Sequence, residues 1–220
     1  MKRAAAAMML APLLAGAAGV EECRALRHRG RIPEAHDCFA GLAAGRDAYL
    51  RAEGLWGLQR YDEANAEFRA TVKEHADNAE YRVRWGRLLL ERFNRQDAAA
   101  LFQEAVERDA KNAGAYVGLA LVASESFDNK AVDFAAKAAE LDPKLVEARE
   151  LLAYLELEDG DQAKAKDEAD KALKISGDAL NAMAIRATID WMNQELLTGD
   201  IQSPWMDRIL LANPVYGEAY

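Results

Sequence analysis

The sequence has few of the residues that build metal centres and catalytic sites. Its 220 residues include two cysteines and three histidines. It contains none of the motifs HExxH, GxSxG, GxGxxG or GxxxxGK, so it lacks common signatures of zinc peptidases, hydrolases and nucleotide-binding enzymes. Its acidic residues, as in the stretch Glu156–Asp161, are typical of solvated helix faces and turns. We therefore predict a protein that is not an enzyme and that binds no cofactor or metal ion.

Positive charge is also scarce. The chain has 28 basic against 37 acidic residues, a net charge of −9. A nucleic-acid-binding surface needs a basic patch that replaces the counterions of the phosphates, and an anionic membrane surface attracts basic segments. The charge balance therefore argues against both kinds of partner. We interpret the excess of acidic residues as a feature that keeps the chain soluble.

The first residues have the composition of an export signal. Lys2 and Arg3 precede an apolar run that ends at Leu14, and Ala15-Gly16-Ala17 fits an A-x-A cleavage site. The run is shorter than the ~20 residues of a membrane span, which makes a membrane anchor the weaker alternative. We predict a Sec-type signal peptide over residues 1–17, no transmembrane segment after its removal, and a periplasmic or secreted mature protein.

Both cysteines lie in a predicted helical hairpin at residues 18–44, whose turn is marked by Gly30. Cys23 and Cys38 stand symmetrically about this turn, so antiparallel helices would bring them opposite each other. Because exported proteins meet an oxidising environment, we predict a disulfide between them. A pair of free thiols is one alternative, and a metal or redox site flanked by His28 and His36 is another.

The rest of the chain is built from a repeated pattern of small residues. In the first helix of each predicted pair they recur at spacings of 34, 34, 33 and 34 residues, at Ala52, Gly86, Ala120, Ala153 and Ala187. The second helices have a matching series, at Ala64, Ala98, Ala131 and Ala165. Facing small residues let two helices approach closely, and a fixed period of this length is the signature of a helical solenoid.

This pattern resembles the tetratricopeptide repeat (TPR) family over about residues 45–213. The second repeat carries the family's small and large positions, at Gly86, Ala98, Phe102, Ala105 and Ala110. The sequences Leu141–Pro143 and Asn213-Pro214 match the family's repeat endings, whereas Arg82 and Arg149 replace its usual aromatic residue at position 4. The resemblance implies an all-α fold, a right-handed superhelix (α-solenoid) of antiparallel helix pairs.

We predict a solenoid over residues 45–220 with five to six repeats. They cover about residues 45–78, 79–112, 113–145, 146–179 and 180–214, with the start of another at 215–220. In the fifth unit we expect a long first helix to about Leu197, a loop over Thr198–Gln202, and a helix capped by Ser203 with Pro204 in its first turn. No capping helix follows, which leaves Trp205, Ile209 and Leu210 on an open end face.

The resemblance also implies a groove lined by the first helices. Its register places these residues there: Tyr49, Glu53, Trp56, Val83, Arg87, Leu90, Val117, Leu121, Ser124, Glu150, Tyr154, Leu157, Thr188, Trp191 and Met192. The partner-binding candidates among them are Tyr49, Trp56, Arg87, Leu90, Tyr154, Leu157 and Trp191. Tyr49 and Glu53 stand where the family's carboxylate clamp has lysine and asparagine, which argues against recognition of acidic chaperone tails.

We predict a non-catalytic scaffold that binds a protein or peptide. One alternative is the N-terminal arm of a larger exported enzyme, for example a zinc peptidase, whose catalytic domain lies beyond Tyr220. A third hypothesis is self-association through the C-terminal face of the solenoid.

The mass of the natural protein tests the predicted processing. We expect a chain that begins at residue 18 and whose mass is lower by two hydrogens until the protein is reduced, because the leader is removed and the two thiols are oxidised. A mass that includes residues 1–17, or one that reduction leaves unchanged, would contradict these expectations. A much larger mass would favour the enzyme arm.

Overall fold

The computed structural model describes residues 19–126, 128–193 and 203–217, and within them the chain forms twelve α-helices. In chain order they are α1 Val20–His28, α2 Ile32–Ala43, α3 Ala48–Gly57, α4 Tyr61–Glu74, α5 Ala79–Glu91, α6 Arg95–Arg108, α7 Ala113–Ser124, α8 Lys130–Leu141, α9 Val146–Glu158, α10 Gln162–Ile175, α11 Leu180–Met192 and α12 Pro204–Ala212. The predicted signal peptide at residues 1–17 lies outside the described residues, as does Tyr220.

The helices form two layers. Each helix packs on the next one along the chain, and in addition α5 contacts α7, α7 contacts α9, and α9 contacts α11. The first helices of successive pairs, α3, α5, α7, α9 and α11, therefore make one layer, which we call the inner layer, and the second helices make the outer layer. The predicted all-α helical-repeat fold is confirmed. Within the described part of the chain, no helix is both long enough and apolar enough to cross a membrane.

Polar residues define where several inner helices begin. The side chains of Asp47, Asn78 and Asn112 accept hydrogen bonds from the backbone N–H groups of Leu50, Tyr81 and Ala115. Such N-caps satisfy donors that have no partner inside the helix. Asn78 and Asn112 are 34 residues apart, so the repeat period includes the start signal of the helix.

Buried phenylalanines fill the space that the small residues leave. The side chain of Phe102 is completely buried. A Cβ atom at Gly86 would lie 2.7 Å from its ring, and one at Gly118 would lie closer still. Phe102 of α6 is thus held between α5 and α7, and only glycine fits at both contacts.

Ion pairs replace the missing aromatic residues at position 4. In the second repeat Arg82 Nε lies 3.0 Å from a carboxylate oxygen of Glu104, and in the fourth Arg149 lies 2.9 Å from Glu168. Both pairs join the two helices of one repeat. At this position an arginine ion pair therefore joins the two helices of the repeat, where an aromatic ring would join them by packing.

The N-terminal hairpin is closed by a disulfide. The structure joins Cys23 in α1 to Cys38 in α2, with 5.4 Å between their Cα atoms. Cys23 is completely buried and packs with Val20, Phe39 and Leu42. Neither cysteine is free in the structure, which agrees with the predicted disulfide and not with a pair of free thiols.

The fifth unit differs from the prediction. α11 ends at Met192, where Asn193 caps it, and not near Leu197. The expected loop at Thr198–Gln202 lies outside the described residues. Ser203 and Pro204 begin α12 as predicted, with the serine side chain accepting from a backbone N–H group.

The end face is less open than predicted. Ile209 is completely buried against Leu180 and Met183. The ring of Trp205 is covered by the guanidinium groups of Arg186 and Arg208, at 4.7 and 4.6 Å from its centroid. The prediction that Trp205 and Ile209 lack cover was therefore wrong, because residues of α11 and α12 themselves shield both.

The first hairpin also touches the fifth unit. His28 Nε2 lies 2.9 Å from the carbonyl oxygen of Asp178 in the turn between α10 and α11. At Gly30, a Cβ atom would meet the side chains of Asn213 and Val215. The array therefore curves until its first and last units meet.

A substitution at Gly54 tests the close contact between α2 and α3. A Cβ atom there would lie 2.7 Å from the carbonyl oxygen of Phe39 and even closer to the backbone of Ala43. Gly54→Ala should lower the free energy of unfolding by about 3 kcal/mol in urea unfolding followed by circular dichroism, because α2 and α3 must move apart.

Gly41→Ala is the matched control, because a Cβ atom at this helical glycine would meet nothing within 4 Å. It should raise the free energy of unfolding by about 0.5–1 kcal/mol through helix propensity. Equal effects of the two substitutions would contradict the proposed close contact.

Candidate functional site

The inner layer lines a concave groove with two adjoining cavities. The first has a volume of about 360 Å³ and is bordered by α3, α5 and α7. The second, of about 560 Å³, is bordered by α7, α9 and α11. Leu121 of α7 lines both, so the cavities adjoin and form one surface that extends across five repeats.

The smaller cavity combines aromatic and charged groups. Its wall includes Trp56, Leu90, Glu91 and Phe93. The indole Nε1 of Trp56 donates a hydrogen bond of 2.7 Å to Glu91, and the ring lies under the guanidinium group of Arg84 at 4.5 Å. These contacts hold the tryptophan ring in place at the border between the first and second repeats.

Phe93 is an exposed aromatic residue in an unusual backbone conformation. It lies in the turn between α5 and α6 with φ of 59°, and its side chain is 77% exposed. A bulky residue at positive φ is strained. Gln59 adopts the same conformation, φ 60°, in the turn between α3 and α4.

The larger cavity is mainly apolar. Leu151 and Ile185 are buried in its wall, Leu157 is half-buried, and Tyr154 is 46% exposed at its edge. Glu150 brings a carboxylate to this apolar surface. Burial raises the pKa of Glu150 above its usual value, although hydrogen bonds from the α11 N-terminus oppose the shift.

A buried carboxylate ties the N-terminal hairpin to the first two repeats. Glu53 is 2% exposed and accepts hydrogen bonds of 2.7 Å from both Arg24 of α1 and Arg84 of α5. Burial raises the pKa of Glu53, but the two guanidinium groups outweigh burial and hold it below its ordinary value. A buried charge is tolerated only when it is paired in this way.

A second ion pair crosses the groove. Arg87 of α5 makes a bidentate contact with Glu147 of α9, with distances of 2.5 and 2.7 Å. Burial raises the pKa of Glu147, but Arg87, together with the nearby Arg84 and Arg24, outweighs burial and holds it below its ordinary value. The two residues are 60 positions apart, so this pair connects the second repeat to the fourth.

The predicted groove residues divide into three groups. Leu90 and Trp56 line the smaller cavity, while Tyr154 and Leu157 line the larger one. Tyr49 stacks on Tyr81 of the next repeat at 4.5 Å between ring centroids. Trp191 lies near the end of α11 with 68% of its side chain exposed.

Arg87 lines the smaller cavity, but its bidentate contact with Glu147 occupies the guanidinium group. In this structure Arg87 therefore directs its two terminal nitrogens at a carboxylate of the protein itself. Val83 and Val117 are buried because their side chains pack between repeats, so these register positions do not face the groove. Glu53 is likewise buried.

Sequence reasoning missed several lining residues. Glu147 stands at position 2 of the fourth repeat, so applying the family register to that position would have identified it. Leu151 and Ile185 follow a core pattern, and Phe93 lies in a turn, so no signal in the sequence marks them. Within residues 19–126, 128–193 and 203–217, no group of three or more His, Cys, Asp or Glu side chains is arranged to hold a metal ion.

Solved structures share this fold. TTC0263, a thermophilic TPR protein of Thermus thermophilus, is similar with a TM-score of 0.67 and 18% identity over 78% of this chain and 92% of that chain. A TPR protein from Parabacteroides merdae gives 0.60 and 17% over 88% and 82%. YrrB, described as a TPR protein with an unusual peptide-binding site, gives 0.52 and 19% over 76% and 89%.

These similarities confirm the predicted resemblance at the level of fold: the chain has a TPR-like helical-repeat fold. No protein-family model matches the sequence, and a search of curated proteins found no match. At identities below one in four, structural likeness establishes the fold and carries no function over.

Acid unfolding tests the role of Glu53. Because its folded pKa lies below the ordinary 4.5, the ionised group stabilises the fold above that pH, and this contribution is lost as the pH falls through the folded value. Glu53→Gln should lower the free energy of unfolding by about 3 kcal/mol near neutral pH, because the partly buried Arg84 loses its charged partner and Arg24 loses one of its two.

The variant should also lose less stability than the wild type on acidification below pH 4.5, since it lacks this carboxylate. Glu63→Gln is the control, because Glu63 pairs with Arg60 on the exposed surface, and it should change little. If the free energy of unfolding of Glu53→Gln fell with pH as steeply as that of the wild type, the ion pairs of Glu53 would not govern acid stability.

Proposed function

We propose that this TPR-like helical-repeat protein is a non-catalytic scaffold that binds a protein or peptide segment in its concave groove. The observation that carries the proposal is the continuous surface formed by the two cavities, with volumes of about 360 and 560 Å³. Grooves that combine apolar pockets with a few placed polar groups suit peptide recognition.

The exposed aromatic residues support this proposal. Phe93 and Tyr154 project from turn and helix at the two cavities, and large aromatic side chains dominate the binding energy of protein interfaces. Phe93 does so despite a strained backbone. The same conformation recurs at Gln59, so the exposed ring itself is the feature of Phe93 that supports binding.

We also propose that the scaffold works outside the cytoplasm, in the periplasm or after secretion. The basic residues and apolar run of the first 17 residues support export, and the Cys23–Cys38 disulfide suits an oxidising compartment.

The C-terminal helix supports a secondary proposal of self-association. α12 exposes Met206, Leu210 and Leu211, the last at 86%. Apolar side chains clustered on one helix favour a contact with another helix. A dimer that forms with rising protein concentration, and that Leu211→Asp abolishes, would support it, whereas a monomer at high concentration would contradict it.

Phe93→Gly separates binding from stability. We expect the free energy of unfolding to stay unchanged or rise by up to about 1 kcal/mol, because glycine accepts positive φ without strain. Affinity for peptides selected from a random display library on the wild-type protein should fall by about tenfold, because an exposed aromatic contact is lost.

Gln59→Gly is the matched control, since Gln59 occupies the same conformation in the preceding repeat. It should show the same effect on unfolding and unchanged peptide affinity, measured by fluorescence anisotropy. Selection that yields no peptide binder for the wild-type groove would overturn the proposed function.

A further inference from the structure

Two carboxylates in the groove have only neutral hydrogen-bond donors as partners. Glu150 of α9 lies in the wall of the larger cavity, and Glu91 at the end of α5 lies in the wall of the smaller one. The other carboxylates described above face arginines. This difference separates Glu91 and Glu150 from the structural ion pairs of the array.

Glu150 is oriented by the start of the next inner helix. Its two carboxylate oxygens accept hydrogen bonds from the backbone N–H of Ala182, at 3.1 Å, and from the Asn181 side chain, at 3.3 Å. These donors fix the carboxylate without neutralising its charge. Nearby Glu147 adds to the negative potential and contributes to the raised pKa of Glu150.

Glu91 is held in an equivalent way. One oxygen accepts from Trp56 Nε1 at 2.7 Å and the other from the Tyr61 hydroxyl at 2.9 Å. Within the described part of the chain, neither Glu91 nor Glu150 has an arginine, lysine or histidine nitrogen within 4.0 Å. A cleft beside Glu150 is also lined by Arg24, His28 and Arg29; Arg24 is held by Glu21 and Glu53, and His28 lies at Asp178.

The apolar surroundings define what kind of cation fits. Leu151, Leu157 and Ile185 lie beside Glu150, and Leu90 and Phe93 lie beside Glu91. A small inorganic cation would pair with the carboxylates but would leave the neighbouring apolar side chains exposed to water. A segment whose apolar side chains enter the cavities while basic side chains reach the carboxylates satisfies both features of the groove.

From this geometry we propose that the groove selects peptide segments in which basic residues alternate with apolar ones, with Glu150 and Glu91 receiving the basic side chains. This inference rests on the proposed function and names the class of partner. Arg84 and Arg87 also line the groove, but their charges are already compensated by Glu53 and Glu147. They therefore do not make the groove a site for acidic segments.

The test uses three fluorescein-labelled peptides in which leucine alternates with lysine, with glutamine or with glutamate. Fluorescence anisotropy with the full mature protein should show the lysine peptide binding about tenfold or more tightly than the glutamine peptide, and the glutamate peptide binding most weakly. The preference for lysine should shrink at high salt, since exposed charge pairs are screened.

Glu150→Gln and Glu91→Gln, made separately, should each weaken binding of the lysine peptide several-fold and leave the glutamine peptide unchanged. Glutamine keeps one side-chain oxygen, which can accept from the Ala182 N–H or from Trp56 Nε1, and its amide group can donate to the Asn181 side-chain oxygen or to the Tyr61 hydroxyl. The groove should therefore retain its shape. Unchanged glutamine-peptide affinity reports that shape directly, and Glu91→Gln provides a second variant should Glu150→Gln unfold.

Glu140→Gln is the charge-matched control. Glu140 lies on the outer helix α8 and contacts Lys137 on the exposed surface, so Glu140→Gln reduces the net negative charge by the same one unit without altering the groove. Equal loss of lysine-peptide affinity in all three variants would overturn the inference, because general attraction to an acidic protein would explain it.

Two further outcomes separate the inference from the function on which it rests. Tight binding of all three peptides with equal affinity would overturn the basic preference and leave a peptide-binding groove. Binding of none of the three, together with an empty random-library selection, would overturn both.

Discussion

Close contact between helices at small residues is the constraint on which the structure depends. Phe102 is completely buried because Gly86 and Gly118 leave room for its ring on two sides. Three helices therefore meet around one side chain, and this contact sets the distance between neighbouring repeats. The inner helices then align as one layer. The groove is therefore a consequence of how the core packs.

The ion pairs that link different units also lie on the inner layer of helices. Glu53 accepts from arginines of α1 and α5, and Arg87 reaches Glu147 in α9. Since a buried or enclosed charge is costly without a partner, these pairs favour one relative arrangement of the units. They hold the N-terminal hairpin, the second repeat and the fourth repeat together, so they help to set the curvature of the groove as well as its stability.

The groove joins preformed walls to carboxylates whose orientation is already fixed. Glu91 and Glu150 are held by neutral donors, so ordering them adds no further cost when a ligand arrives. Phe93 contributes an exposed ring at the rim. The core and the ion pairs thus serve stability, while the exposed Phe93 ring and the uncompensated carboxylates are the features that stability alone does not explain.

The sequence by itself determined the fold, because its signals are local and recur in every repeat. Small residues at a period of about 34, buried phenylalanines and asparagine caps each act within one or two helices. It also identified half of the groove, such as Trp56 and Leu157. Only the tertiary structure decided that Val83 is buried and that Arg87 is paired. That pair spans 60 positions, and it forms because the stacked repeats curve, a property that no single repeat encodes.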